Sequence, residues 1–181
     1  MDFLDCVKNR RSIRKFTDEK ISHDLISEIV EIASYSPSWK NTQVVRYTFI
    51  DNKETLDKIA DDCVLGFEFN SKIIKNAPAL VIVSMIEKRS GYERDGSFST
   101  PKGDGFEMFD AGISTQTFCL ASHEKGLGTV IMGYFDEEKI KPLISLPDNQ
   151  KIGAVLAIGY PQNNENIMPK RKPVSDLVTF K

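Results

Sequence analysis

The stretch APALVIVSMI, residues 77–86, constrains the fold more than any other part of the chain. Nearly every position is apolar, whereas a strand with one wet face alternates apolar with polar. The run is short for a buried helix and rich in Val and Ile, so it reads as a strand covered on both faces. Such a strand requires a layer of structure above and below it.

The segments around it have the period of helices. Phe3, Leu4 and Val7 predict a short first helix that delivers Arg10 and Arg11 at its C-terminal end. A second helix opens at Ser22 as N-cap with Asp24 in its first turn. Leu25, Ile26, Ile29, Val30, Ile32 and Ala33 form its apolar face, and Ser36-Pro37 stops it. RYTFID, residues 46–51, alternates as a strand does, and Asp51 to Cys63 predicts a third helix presenting Leu56, Ile59, Ala60 and Cys63. Residues 87–105 are polar and Gly-rich without period, which predicts a surface loop long enough to serve as a lid. Phe106, Phe109, Ile113 and Leu120 then open a long central helix that Gly126 can end. TVIMGYF and IGAVLAIGY predict two further strands, separated by the amphipathic DEEKIKPLISLP with Pro142 near its middle. With no internal repeat and no break in composition, this order predicts one α/β or α+β domain over residues 1–181, with helices on both sides of a sheet.

Charge and motif spacing narrow the function. The chain has 24 Lys and Arg against 26 Asp and Glu, a formal net charge of -2, so it is not built as a whole to seek polyanions. No apolar run approaches the ~20 residues of a membrane helix. The N-terminus carries Asp2 and Asp5 instead of a basic leader, and the expected location is the cytoplasm. Cys6, Cys63 and Cys119 lack C-x-x-C spacing and read as buried small hydrophobes. GLGTVIMG has Ile131 where a dinucleotide fingerprint needs its third glycine, and it enters a strand instead of leaving one. There is no phosphate loop, no G-x-S-x-G elbow, and no second histidine four residues after His123, so hydrolase and zinc chemistry have no signature here.

What remains is polar groups suited to holding a ligand. NRRSIRKF, residues 9–16, groups Arg10, Arg11, Arg14 and Lys15 around Ser12. If the chain is extended after Arg10, then Arg10, Ser12 and Arg14 share a face and match an anionic group such as phosphate. A solvated basic patch remains the alternative reading. The second stretch is SPSWKNTQ, residues 36–43, between a helix end and a strand. Its amide and hydroxyl side chains could read the edge of a flat heterocycle, and they also suffice for a plain helix stop.

RRSIRKF, SPSWKNTQ, KGLGTVIMGYF and PKRKPVSDLV, in this order across nearly the whole chain, resemble the nitroreductase family of FMN-dependent oxidoreductases. The resemblance implies a three-layer sandwich with a central mixed sheet flanked by helices, and a homodimer with FMN at the subunit interface. It implies a C-terminal arm, Val174 to Phe180, packing on the partner subunit. By the same resemblance Arg10, Arg11 and Ser12 hold the FMN phosphate, with Lys170 and Arg171 closing on it from the tail. Arg14 reaches the pyrimidine edge as electrostatic support. Pro37, Ser38, Trp39, Asn41 and Asn70 line the ring, and Ile131, Met132 and Gly133 offer it their backbone. NAD(P)H is then the electron donor, a small molecule the acceptor, and no protein side chain is needed as acid or base. The chain departs from the family pattern at Gln43-Val44-Val45, commonly Gln-Pro-Trp, and at Trp39-Lys40, commonly small or polar, which implies a narrower pocket. Dehalogenation, flavin fragmentation and noncatalytic flavin binding are the alternatives on the same fold.

Overall fold

The computed structural model describes residues 1–162 and 168–181. Its sheet has the order β1-β2-β4-β3, where β1 is Val45–Ile50, β2 is Ala79–Ile86, β3 is Gly128–Met132 and β4 is Gln150–Gly159. The apolar run is β2, and it is buried along its whole length except at Ile86. Its side chains divide by parity, as a pleat requires. Leu80 and Ile82 enter one core with Val155 and Ala157 of β4, and Ala79, Val81 and Val83 enter the other with Ala154, Leu156 and Ile158.

Each core is closed by its own helices. The first is covered by α3 (Lys53–Asp62), α4 (Glu68–Asn76) and α6 (Glu137–Leu143) through Leu56, Ile59, Ile73, Ile74 and Ile140. The second is covered by α2 (His23–Ser34) and α5 (Gly105–Glu124) through Ile26, Ile29, Ala33, Phe118, Cys119 and Ala121. The expected three-layer sandwich is therefore present, and all three cysteines are buried and free.

Two sequence expectations differ in detail. The sheet was expected to be mixed, yet every strand pair within it is antiparallel. The connection through α5 does carry the chain back so that β3 runs parallel to β2, but β4 lies between them and is antiparallel to both. The parallel pairing found among the described residues is an isolated bridge of Ser12 with Thr129. Helix α4 carried no prediction, because its nine residues expose Phe69 and bury Asn70, which blurs the 3.6 period.

Two helices turn apolar residues away from the chain's own cores. In α1 (Phe3–Asn9) only Cys6 is buried, while Phe3, Leu4 and Val7 are exposed. In α5 the buried face includes Glu107, Asp110 and Ser114, and Met108 and Phe109 are exposed. Of the residues whose spacing announced these helices, Phe3, Leu4, Val7 and Phe109 are exposed and Phe106, Ile113 and Leu120 are half-buried.

The N-terminal segment crosses the sandwich edge at β3. The Ile13 N–H donates to the Thr129 carbonyl at 3.0 Å, and a Cβ at Gly128 would lie 2.5 Å from Ile13 Cγ1. Gly128→Ala is expected to displace this segment and destabilise the fold by about 1–3 kcal/mol; urea unfolding of the two proteins measures it.

Candidate functional site

The basic row is built by the end of α1. Asp2 caps the helix by accepting from the Leu4 N–H at 2.7 Å, and at Arg10 the backbone leaves for an extended path. Alternation then sorts the side chains. Arg11 and Ile13 are buried and Ser12 and Arg14 are exposed, with Arg10 half-buried. Arg11 turns its guanidinium back to donate to the carbonyls of Lys8 and Arg10, where a cation at a helix C-terminus is favoured. Arg14 donates to the Ser12 carbonyl at 3.3 Å. Among the described residues Arg10, Arg11, Arg14 and Lys15 have no carboxylate partner, so the positive potential is available to an anion.

The row meets the start of β3, where Ser12 bridges Thr129, and the strand then runs on to Met132. Met132 is buried, the Ile131 side chain is half exposed, and no atom lies within 4 Å of a Cβ built at Gly133. Nothing in the protein crowds that position, so a flat group can approach the backbone there. Asn70, buried in α4, donates to the Tyr134 carbonyl at 3.4 Å and so belongs to the same neighbourhood.

His123, at the C-terminal end of α5, stands near Arg10 and Arg11, and the sequence reading assigned it no role. Its Nε2 is shielded from solvent and has no hydrogen-bond partner. Burial first, and the charges of Arg10 and Arg11 next, push its pKa below the usual 6.5.

The second set of expected residues is fixed elsewhere. Asp110, on the buried face of α5, accepts from the Trp39 N–H at 3.0 Å and from the Ser90 hydroxyl. One carboxylate thereby holds both the 36–43 loop and the start of the 87–105 segment. The Trp39 ring packs on Phe106 with centroids 4.3 Å apart, and Lys40 pairs with Glu93 at 2.9 Å. The 87–105 segment is thus tied down at Ser90 and Glu93, and Tyr92 bridges Phe98 within it.

Lys40, Asn41 and Gln43 all have φ between 45° and 55°, a region costly for residues with a Cβ. Ser38 steadies the turn by accepting from the Gln43 N–H at 2.9 Å. Under it lies a cavity of about 490 Å³ lined by Pro37, Ser38, Thr42, Arg46, Tyr47 and Asp110 among others. The Trp39 Nε1 and Thr42 Oγ1 atoms are shielded from solvent without partners.

One chain does not bring the two sets together. Trp39 is anchored at Asp110, whereas Arg10 acts on Cys119 and His123 near the other end of α5. At 1.5 Å per helical residue these anchor points are about 14–20 Å apart. Lys170 and Arg171 are exposed and have no hydrogen bond or ion pair among the described residues; part of the linker before them, 163–167, lies outside those residues.

Comparison with known proteins places the chain in a family. A model of the nitroreductase family matches residues 7–70 and 65–160. A protein of Methanothermobacter thermautotrophicus described as an NADH dehydrogenase/NAD(P)H nitroreductase is 32% identical over 168 residues, covering 91% of this chain and 80% of its own. An iodotyrosine deiodinase of Thermotoga neapolitana is 23% identical and covers 97% of each chain. A solved structure described as a nitroreductase in complex with FMN, from Exiguobacterium sibiricum, superposes with a TM-score of 0.81 at 24% identity, covering 100% of this chain and 98% of that one. The α/β/α sandwich with an open basic row at its edge is thus that of a redox enzyme. The chain belongs to the nitroreductase family.

Two outcomes test the site's construction. Asp110→Ala leaves the Trp39 N–H and the Ser90 hydroxyl without an acceptor and is expected to cost about 2–4 kcal/mol. It should also shift the emission of Trp39, the single tryptophan, to the red. Because the folded state holds His123 neutral, the unfolded chain binds the extra proton. Stability contributed by His123 is therefore fully present above about pH 6.5 and lost as pH falls below it, and His123→Gln should flatten that limb of the stability profile.

Proposed function

We propose that the chain is an FMN-dependent oxidoreductase that uses NAD(P)H to reduce quinones, nitroaromatics or similar acceptors. It works in the cytoplasm as a homodimer with FMN at the subunit interface. The single observation that carries this reading is the row of Arg10, Ser12 and Arg14, without carboxylate partners among the described residues, against the start of β3, the strand that leads to the uncrowded backbone at Gly133. A phosphate matches the first feature and a flat ring the second. When bound, FMN supplies hydride chemistry at its N5 atom, with donor and acceptor taking turns in a ping-pong cycle.

The protein's part is binding and orientation. Arg10 and Ser12 hold the phosphate, and Arg11 adds the donors left free by its capping bonds, since a guanidinium has five N–H groups. Lys170 and Arg171 close on the phosphate from the tail. Arg14 places positive charge at the pyrimidine edge, where the reduced ring accumulates negative charge. Asn70 and the backbone of Ile131, Met132 and Gly133 face the ring from the same chain.

Pro37, Ser38, Trp39 and Asn41 cannot reach that ring from the other end of α5, and a second copy supplies them. Pairing two α5 helices antiparallel through their exposed faces sets the loop of one copy against the basic row of the other. Met108, Phe109, Gly112, Ile113 and Gln116 line a groove on that face, which supports the pairing. The C-terminal arm, with Val174, Leu177, Val178 and Phe180 exposed, packs on the partner in this arrangement. The deiodinase relative keeps reductive dehalogenation as the second reading.

The test is the absorbance spectrum of the purified protein with FMN, before and after anaerobic NADH and NADPH. Flavin bands that bleach support the reductase and identify the donor; absence of stoichiometric flavin binding removes it. Arg14→Ala is expected to retain FMN and to lower its reduction potential, and an unchanged potential at full occupancy would refute the role given to Arg14.

A further inference from the structure

One shielded polar atom near the basic row has no role in the reading above. His123 Nε2 is closed off from solvent and makes no hydrogen bond among the described residues. A buried polar group in that condition costs free energy unless a group from outside the chain meets it. Its surroundings decide which kind of group fits.

The packing of α1 on α5 sets those surroundings. Cys6 Sγ donates to the Leu120 carbonyl at 3.4 Å, and the Met1 ammonium pairs with Glu124 at 3.5 Å. His123 lies three residues beyond Leu120, and residues so spaced are neighbours on a helix surface. Arg10 and Arg11 follow α1 and stand close enough for their charges to act on the imidazole. From His123 the chain turns at Gly126 and enters β3, whose Thr129 bridges Ser12. The histidine thus joins the end of α1 to the strand that holds the serine of the basic row.

The charges of these elements leave one sign unmatched. Asp2 caps α1, Asp5 and Lys8 are exposed, Glu124 pairs with Met1, and Lys125 pairs with Glu28 of α2 at 2.8 Å. Burial pushes the Cys6 and Cys119 thiols up, so both keep their protons, and β3 carries no ionisable side chain. Arg10 and Arg11 have no carboxylate partner among the described residues. Two guanidinium groups and a shielded imidazole without an acceptor between them form a donor set for an anion. A guanidinium only donates, and a protonated imidazole donates from both nitrogens, so all three can serve one phosphate.

We propose that His123 is a further phosphate-binding residue of the cofactor site, donating from Nε2 in its protonated form, so that FMN binding carries a proton into the protein. The assignment rests on the reading of this chain as an FMN enzyme. In the free protein the imidazole is neutral, because burial and the two arginines disfavour its charge. A phosphate dianion offsets both causes, and the C-terminal end of α5 adds a small preference for the cation. The proton comes from solvent and returns to it when the flavin leaves. FMN affinity therefore falls as pH rises through the range in which only the complex holds this proton.

The experiment is calorimetric titration of the flavin-free full chain with FMN and with riboflavin, which lacks the phosphate, at about pH 7.5 in buffers of different ionisation enthalpy. The FMN phosphate is then already a dianion, since its second pKa is about 6, and takes up no proton of its own. Wild-type protein is expected to take up about 0.3–1 proton per FMN and none with riboflavin. His123→Gln, which keeps a neutral donor but cannot carry the charge, should lose the uptake and weaken FMN by about tenfold. The wild-type measurement stands whether or not the variant folds. FMN binding without proton uptake would overturn the assignment, since a buried water would then satisfy Nε2. Equal uptake with riboflavin, or wild-type uptake in His123→Gln, would overturn it too, because the phosphate or the histidine would not be the cause. Absence of any flavin binding by the wild-type protein would remove the reductase reading and this assignment with it, and is told apart by the lack of binding heat with either flavin.

Discussion

The two-sided burial of β2 is the constraint on which the rest of the structure depends. Its odd and even residues enter different cores, so helices must cover both faces of the sheet. β4 shares this division and sits beside it at the sheet centre, which leaves β1 and β3 as the edges. At the β3 edge the N-terminal segment finds a backbone partner through Ile13 and Thr129, and Lys15 and Thr17 then bond to Gln162 and Tyr160 in the chain leaving β4. The basic row is therefore placed by the sheet, and its alternation is inherited from the extended path that the edge imposes.

Helix α5 organises what the sheet does not. Its inward face carries two carboxylates that would be costly to bury unmatched. Glu107 pairs with Lys151 of β4 and accepts from the Lys88 N–H, and Asp110 accepts from the Trp39 N–H and the Ser90 hydroxyl. Both acids spend their hydrogen-bonding capacity on loops, which is why a strained turn at residues 40–43 and the long 87–105 segment have fixed positions. The outward face exposes Met108 and Phe109 and carries a groove that they line with Gly112, Ile113 and Gln116.

The length of that helix gives the site its division. Groups anchored at Asp110 and groups gathered around His123 belong to opposite ends of one rigid element, and no side chain spans the distance between them. In the proposed homodimer a two-fold pairing of chains would bring the two sets together without moving either. The inward face of α5 fixes the loops, and the proposal assigns its outward face to the second copy.

The sequence by itself determined the layers, the strands and the basic row, because each rests on a local pattern: the unbroken apolar run of β2, alternation over residues 10–14, and the 3.6 period of α2 and α3. It also marked Asn70, Trp39 and Gly133, each through the family resemblance. Helix α4 escaped because its exposed phenylalanines and buried asparagine invert the usual pattern. The anchoring role of Asp110 could not be read, since a charge in a helix looks the same in sequence whether it meets water or two loop donors. His123 escaped for the same kind of reason, being a lone histidine. Which face of α1 and α5 is buried was decided only by the tertiary structure. Apolar spacing says that a face will be covered, but whether the cover comes from the same chain depends on how the sheet, the loops and the buried acids orient the helix.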